Sequence, residues 1–398
     1  MSTPAKTDND RFLEVDHWQH CKSGQFVAGD VFLSHRIKEE GRVISVLSDG
    51  LGSGVKANVL ATLTATMATK YIENYTNVSR TAEIIMDTLP VCSVRRISYS
   101  TFTIVDVDAA NHTRVVEHGN PPYVLLRGGD EVEVPKQLIK LEKWQDRDVL
   151  LSEFDARVGD RIVFCSDGVT QAGMGSRNMP LGWGSESVTA HLRELVAKQP
   201  TVSAGDMARR LANHAREVDN LEPKDDITAA VIYVRQPRRL LLITGPPFAK
   251  DKDAELAARV RDFPGRKIIC GGTTAQIVAR ELKRKVVMSM DELDPEIPPS
   301  SSMEGVDLIT EGTLTLSRAA DIIEKGAGRE PMPRNAATML ASALLGSDWI
   351  QFVVGTRINE AHQDPNTPVE LEIRRTIIAR IARVLEEKYL KDTRRRYV

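Results

Sequence analysis

Two short apolar runs, Val43-Ile44-Ser45-Val46-Leu47 and Arg161-Ile162-Val163-Phe164-Cys165, end in the same three residues: Ser48-Asp49-Gly50 and Ser166-Asp167-Gly168. A run of this length, rich in β-branched residues and closed by glycine, reads as a buried strand. Two acids therefore stand at strand ends, far apart along the chain. Two more motifs share the pattern. Gly29-Asp30 lies in a strand-like region over 26–34, and Asp225-Asp226-Ile227-Thr228 runs straight into the apolar segment 229–234. Strand ends distant in sequence can be gathered at one end of a sheet, and gathered carboxylates repel one another and take up protons. Such a cluster makes best chemical sense around a counter-charge.

The order of elements narrows the fold. Strands are expected over 42–47, 99–106, 113–117, 123–127, 150–154, 161–165 and 227–234, with a turn at Asp108-Ala109-Ala110-Asn111-His112. Helices are expected over 55–71, 79–89, 185–197 and 203–217. Antiparallel strands with segregated helices indicate an α+β unit rather than a βαβ repeat. His118-Gly119-Asn120-Pro121-Pro122 reads as a structural turn. After Gln236-Pro237-Arg238-Arg239 the pattern changes to alternating strands and helices, which indicates a smaller α/β domain with a parallel or mixed sheet. The boundaries expected are 1–237 and 238–398. A length of 398 residues suits two domains.

Composition sets outer limits. A formal net charge of -2 gives no general reason to expect nucleic acid or a membrane surface as partner. No apolar stretch is long enough to cross a bilayer, and residues 1–8 lack the pattern of a secretion signal. Cys21, Cys92, Cys165 and Cys270 form no close-spaced pair, so the expected location is the cytoplasm.

The acidic motifs contain oxygen donors and no histidine or cysteine clusters. That favours Mg²⁺ or Mn²⁺ over zinc. Glycine after Asp49 and Asp167 leaves room for a phosphate or water, and exposes the Gly50 carbonyl as a further ligand. Two such ions side by side suit hydrolysis at phosphorus. An Asp-Gly pair alone is a common turn; the four motifs in this order carry the reading.

These motifs, Gly29-Asp30, the run from Val46-Leu47-Ser48-Asp49-Gly50 through Leu51-Gly52-Ser53-Gly54-Val55-Lys56-Ala57, Phe164-Cys165-Ser166-Asp167-Gly168-Val169-Thr170-Gln171-Ala172, and Lys224-Asp225-Asp226-Ile227-Thr228, resemble the metal-dependent (PPM-type) serine/threonine protein phosphatases, in their bacterial SpoIIE-like branch. The resemblance covers residues 20–235. It implies a β-sandwich flanked by helices with two Mn²⁺ or Mg²⁺ ions between the sheets. By position, Asp30, Asp49, the Gly50 carbonyl, Asp167 and Asp225 would hold the ions, with Asp226 in a supporting role. It further implies attack of metal-activated water on phosphoserine or phosphothreonine of a bacterial regulatory protein, such as an anti-sigma-factor antagonist. The helix over 55–71 corresponds to one that moves metal-site residues and contributes to homodimer contacts in that branch. The arginine that grips phosphate in eukaryotic members has no obvious match before Asp30, with Lys22 nearby. The loop 170–183 falls where substrate flaps occur. A phosphatase of a small metabolite and a catalytically silent scaffold are the alternatives.

The second domain matches no sensory module of such enzymes. Its Thr244-Gly245-Pro246-Pro247, Gly271-Gly272-Thr273-Thr274 and Glu311-Gly312-Thr313-Leu314-Thr315 segments follow strands. Open α/β sheets bind ligands at such places. Gly271, Gly272, Thr273 and Thr274, at the start of a helix, are the candidate cofactor- or effector-binding residues. They are neither a Walker A motif nor a dinucleotide fingerprint. Residues 371–390 are expected to form one long amphipathic helix or two short ones, and Arg394-Arg395-Arg396 is expected to be a solvated tail.

Overall fold

The computed structural model describes residues 11–37, 39–74, 81, 84–85, 87, 100–140, 148–289, 294–326, 333–357 and 367–398. The helix expected over 79–89 falls mostly outside the described residues, as does Cys92. The chain divides into two compact units, Met1–Gln236 and Pro237–Val398.

The first unit is an α+β sandwich of two antiparallel sheets. One has the order β1 (Phe12–His20), β11 (Ile227–Arg235), β10 (Arg161–Cys165), β6 (Val124–Arg127), β7 (Asp130–Glu131). The other runs β2 (Val31–Ile37), β3 (Arg42–Gly50), β4 (Ser100–Val107), β5 (His112–His118), β9 (Val149–Asp155), β8 (Gln137–Ile139). Strand periodicity builds the layers. Along β3, Val43 and Leu47 point into a core shared with Ile162, Phe164, Ala230 and Ile232 of the other sheet. The alternate residues Ile44 and Val46 meet helix α1 (Val55–Glu73) through Ala65, Ala68 and Ile72. On the far side, Val163, Cys165, Ala229 and Val231 meet α3 (Ser185–Lys198) and α4 (Ala204–Val218), which follow the single-turn α2 (Asp167–Thr170). Both faces of the central strands are covered. That explains why they read as continuous apolar runs instead of alternating ones.

Two details differ from the sequence reading. Strand β1 was not anticipated: its alternation includes Glu14, Asp16 and His17, and it exists because β11 offers it a full antiparallel ladder from Phe12–Arg235 to His20–Ile227. Within 26–34 the strand begins only at Val31, and Phe26 is fully exposed.

The second unit is a three-layer α/β fold around a mixed sheet. Its order is β14 (Val287–Met288), β15 (Ser301–Met303), β16 (Val306–Thr310), β13 (Arg266–Cys270), β12 (Arg239–Thr244), β17 (Trp349–Val354), β18 (Asp392–Tyr397). The strands from β16 to β18 are parallel, and β14 and β15 add an antiparallel edge. Helices α5 (Asp253–Asp262) and α6 (Gly272–Leu282) pack on the face carrying Leu241, Ile243 and Ile269. Helices α7 (Thr313–Lys325), α8 (Ala336–Leu345) and α9 (Thr367–Tyr389) cover the face carrying Leu240, Leu242 and Ile268. Strand order reverses at β12: β13 and β16 are added on one side of it, β17 and β18 on the other. The three arginines expected in a solvated tail instead form the edge strand β18, where Arg394 sits over the Trp349 ring. Basic side chains on an exposed edge discourage pairing with other chains. Among the described residues no helix is long and apolar enough to cross a membrane.

Candidate active site

Register explains how the acids meet. In the β2–β3 ladder Val31 pairs with Ser48, so one step further the pairing sets Asp30 opposite Asp49. In the other sheet, Ser166 N donates to the Thr228 carbonyl at 3.0 Å and Thr228 N donates to Ser166 Oγ at 3.0 Å. This tie holds the segment carrying Asp167 beside the segment carrying Asp225 and Asp226. All five acids thus lie at one end of the sandwich, two on one sheet and three on the other.

Two glycines permit the close approach. A β-carbon on Gly50 would stand 2.1 Å from the Ala57 carbonyl oxygen, and one on Gly168 would stand 2.1 Å from the Asp226 carbonyl oxygen. Contacts that short with backbone cannot be relieved by a rotamer change. Gly50 therefore seats the end of β3 against the first turns of α1, and Gly168 seats α2 against the 225–226 segment.

The side chains carry different loads. Asp30 is buried, and its Oδ2 accepts from Thr228 Oγ1 at 2.6 Å. Gln19 Nε2 donates to the Asp30 carbonyl at 3.1 Å and to Thr228 Oγ1 at 2.9 Å. Burial pushes the Asp30 carboxyl up to about 7, against hydrogen bonds from Thr228 and Ser166 that favour its charged form. Burial, then the charges of Asp30, Asp167 and Asp225, pushes Asp49 up to about 9. Asp167 is raised by burial and by Asp225, and is oriented by Gln171 Nε2, which donates to its Oδ2 at 2.9 Å. Asp225 is also raised by burial, with Lys22 opposing the shift. Asp226 differs: its Oδ1 accepts from the Lys22 amide at 2.8 Å and its Oδ2 from the Gly29 amide at 2.6 Å. It holds the loop before Asp30 in place.

Hard oxygen donors crowded at a buried strand end suit Mg²⁺ or Mn²⁺. The mutual raising of their pKa values is the electrostatic stress that a bound cation would relieve. Among the described residues, no three His, Cys, Asp or Glu side chains are arranged to hold a single ion; the Asp30 and Asp49 carboxyls hydrogen-bond one another instead. Chemically the donor set of carboxylate and carbonyl oxygens fits these ions.

Ser166, Thr228 and Gln171 lie inside the acidic motifs, where sequence alone gives them no role; Gln19 lies on β1, a strand with no sequence signal. His118 packs against Phe102, and its Nδ1 lies 3.0 Å from the Asp148 carbonyl oxygen, as a structural side chain would. The loop after Asp167 is pinned at both ends. Gly173 N donates to Asp219 Oδ1 at 2.7 Å, Lys224 Nζ donates to the Met174 carbonyl at 2.6 Å, and Trp183 packs on His191 and His214. Leu181, between these anchors, is exposed. Cys165 is raised to about 12 by burial, which rules it out as a nucleophile at neutral pH. Gly271 through Thr274 belong to the second unit, where they open α6.

Residues 39–235 match the family described as Stage II sporulation protein E (SpoIIE). No curated protein matches the sequence significantly. Among solved structures, the chain is similar to the PP2C phosphatase domain, with a fragment of the regulatory domain, of the cell fate determinant SpoIIE from Bacillus subtilis: 18% identity, TM-score 0.48, covering 57% of this chain and 63% of that one. The match thus spans a little under two thirds of that chain's length. It is also similar to the RsbU and RsbW domains of Rv1364c from Mycobacterium tuberculosis, at 19% identity and TM-score 0.45, covering 63% and 67% of the two chains. The catalytic domain of the serine/threonine phosphatase PstP in complex with two manganese ions matches at 17% identity and TM-score 0.37, over 56% of this chain and all of that one (100%).

Proposed function

The first unit of this chain has a PPM-type phosphatase fold related to SpoIIE, and on that premise we propose that it is a metal-dependent protein phosphatase acting on phosphoserine or phosphothreonine of a bacterial regulatory protein in the cytoplasm. The observation that carries this reading is the convergence of Asp30, Asp49, Asp167 and Asp225 from both sheets onto one crowded acidic cluster, with Asp30 buried and the other three half-buried. Asp30, Asp49, the Gly50 carbonyl, Asp167 and Asp225 would hold two Mn²⁺ or Mg²⁺ ions. When bound, the ions would acidify water and offset charge on the phosphoryl oxygens. The protein's own part is positioning. Thr228, Ser166 and Gln19 orient Asp30, Gln171 orients Asp167, and Asp226 fixes the loop that delivers Asp30. Lys22, beside Asp225, adds a positive charge at the mouth of the site. An anti-sigma-factor antagonist is the substrate class that the SpoIIE relationship favours.

The unit acts as a homodimer in this proposal. Val55, Val59 and Leu63 recur every four residues on α1 and are all exposed, forming an apolar stripe on the helix that contacts Gly50. A partner seated on that stripe would bear directly on the metal-site backbone.

The test is manganese-dependent phosphate release from phosphoserine proteins and from an aryl phosphate, paired with manganese affinity by calorimetry. Asp49→Asn and Asp167→Asn should lose both. Retention of manganese binding and hydrolysis in both variants would sink the assignment. A Val59→Asp variant that remains dimeric by light scattering would remove α1 from the dimer contact.

A further inference from the structure

The second unit carries its own polar constellation, independent of the phosphatase reading. Helices α6 and α7 begin directly after the parallel strands β13 and β16, on opposite faces of the sheet. Their openings converge: a β-carbon on Gly312 would lie 3.9 Å from Gly271 Cα, and Gly271 N donates to the Thr310 carbonyl at 2.9 Å. Neither helix has a side-chain cap or an acid in its first turn. The first intrahelical bonds are Ala275 N to the Gly271 carbonyl and Leu316 N to the Gly312 carbonyl, so the amides of Gly272, Thr273, Thr313 and Leu314 stand ahead of both ladders. By contrast, α5 opens on Asp253 and Glu255, and α8 has a full capping box on Asn335.

Two buried hydroxyls point to a ligand at the same edge. Thr244 and Thr315 are each fully buried, and neither Oγ1 has a hydrogen-bond partner among the described residues. Thr244 ends β12 in phase with Leu240 and Leu242, on the face covered by α7. Thr315 precedes Ala319 by one helical turn and shares its sheet-facing side. Orphaned buried hydroxyls carry a desolvation cost, which a hydrogen-bond acceptor on a ligand would offset. Arg374 of α9 brings a cation to this edge: its Nη1 lies 2.6 Å from where a Gly245 β-carbon would stand. Glu311, exposed beside Gly312, opposes a bare anion. It suits a ligand whose phosphate is flanked by hydroxyls, since a carboxylate accepts from them. The edge adjoins β12, where the strand order reverses, the place at which open α/β sheets bind ligands.

We propose that this edge binds a phosphate-bearing small molecule with vicinal hydroxyls, of the nucleotide class, seating its phosphate on the amides that open α6 and α7.

The experiment titrates ADP and inorganic phosphate, by calorimetry, into the full chain carrying Asp49→Asn in the presence of chelator. That background silences the first unit, so failure here leaves the phosphatase reading untouched. ADP should bind saturably and more tightly than phosphate. Thr273→Asp with Thr313→Asp should weaken both ligands at least about tenfold without lowering the melting temperature, because an acid in a helix's first turn is itself stabilising. Glu311→Gln should weaken ADP and tighten phosphate. Absence of saturation by either ligand, or affinities that the two aspartate substitutions leave unmoved, overturns the proposal. Tighter ADP binding in Glu311→Gln overturns the assignment of hydroxyl recognition.

Discussion

In the first unit the ends of β3 and β10 and the starts of β2 and β11 deliver Asp49, Asp167, Asp30 and Asp225 to one place. In the second, the ends of β13 and β16 pass through glycine into bare helix N-termini. In the first unit the group presented at the strand end is a side chain, a carboxylate, even where a helix follows, as α2 follows β10. Parallel strands are each followed by a helix running back, so the group presented is a row of amides with the positive end of the helix dipole. The two units therefore present groups of opposite sign at the same strand-end position, carboxylates in the first and helix-opening amides in the second.

The sharpest way to break this contrast is to remove one carboxylate. Asp49→Asn should lower manganese-dependent phosphate release by about a hundredfold or more, the scale of losing a central electrostatic group. Activity within threefold of the parent would show that the cluster is not the catalytic centre.

A smaller effect comes from the glycines. Gly168→Ala should cost about 1–3 kcal/mol in urea unfolding, because its β-carbon would meet the Asp226 carbonyl. Gly272→Ala has open space around it and should be neutral or stabilising by up to about 1 kcal/mol. Equal costs at the two positions would remove the distinction between a tightly closed and an open strand end.

The pH dependence tests the charge side. Asp30 and Asp49 are raised in the folded state, to about 7 and about 9. A raised carboxyl binds its proton more tightly when folded, so its contribution is fully present below about pH 4 and is lost as pH rises through the folded pKa. In chelator, melting temperature should therefore fall between pH 6 and pH 9 more steeply than in Asp49→Asn, and manganese should abolish the difference. Parallel pH profiles for the two proteins would contradict the crowding of charge.

Hydroxyls offer the finest comparison. Thr228→Val removes a bonded hydroxyl from Asp30 and should cost about 1 kcal/mol or more. Thr315→Val removes an orphan and should be neutral to mildly stabilising in the absence of ligand. A loss at Thr315 as large as at Thr228 would mean that its hydroxyl is already satisfied.

Much of the candidate site was legible because each acid sits beside an apolar run whose strand identity is plain. Ser166 and Thr228 were also visible as neighbours of the acids, but nothing local says that a hydroxyl will face Asp30 rather than solvent. Gln19 was invisible, since β1 exists only by pairing with β11, over two hundred residues away. The β18 arginines misled for the same reason: a short charged segment reads as a tail until Trp349 and the open edge of β17 receive it.

The apolar runs, the glycines that close them and the acids between determine by themselves that carboxylates will stand at strand ends in an α+β unit followed by an α/β unit. Those are local properties of residue type and period. Tertiary structure alone decided how the neighbouring acids divide their work, with Asp225 left among the raised carboxylates and Asp226 spent on the amides of Lys22 and Gly29. It also decided that α6 and α7 open side by side. Both outcomes depend on strand register and sheet order, which join segments that carry no trace of one another in sequence.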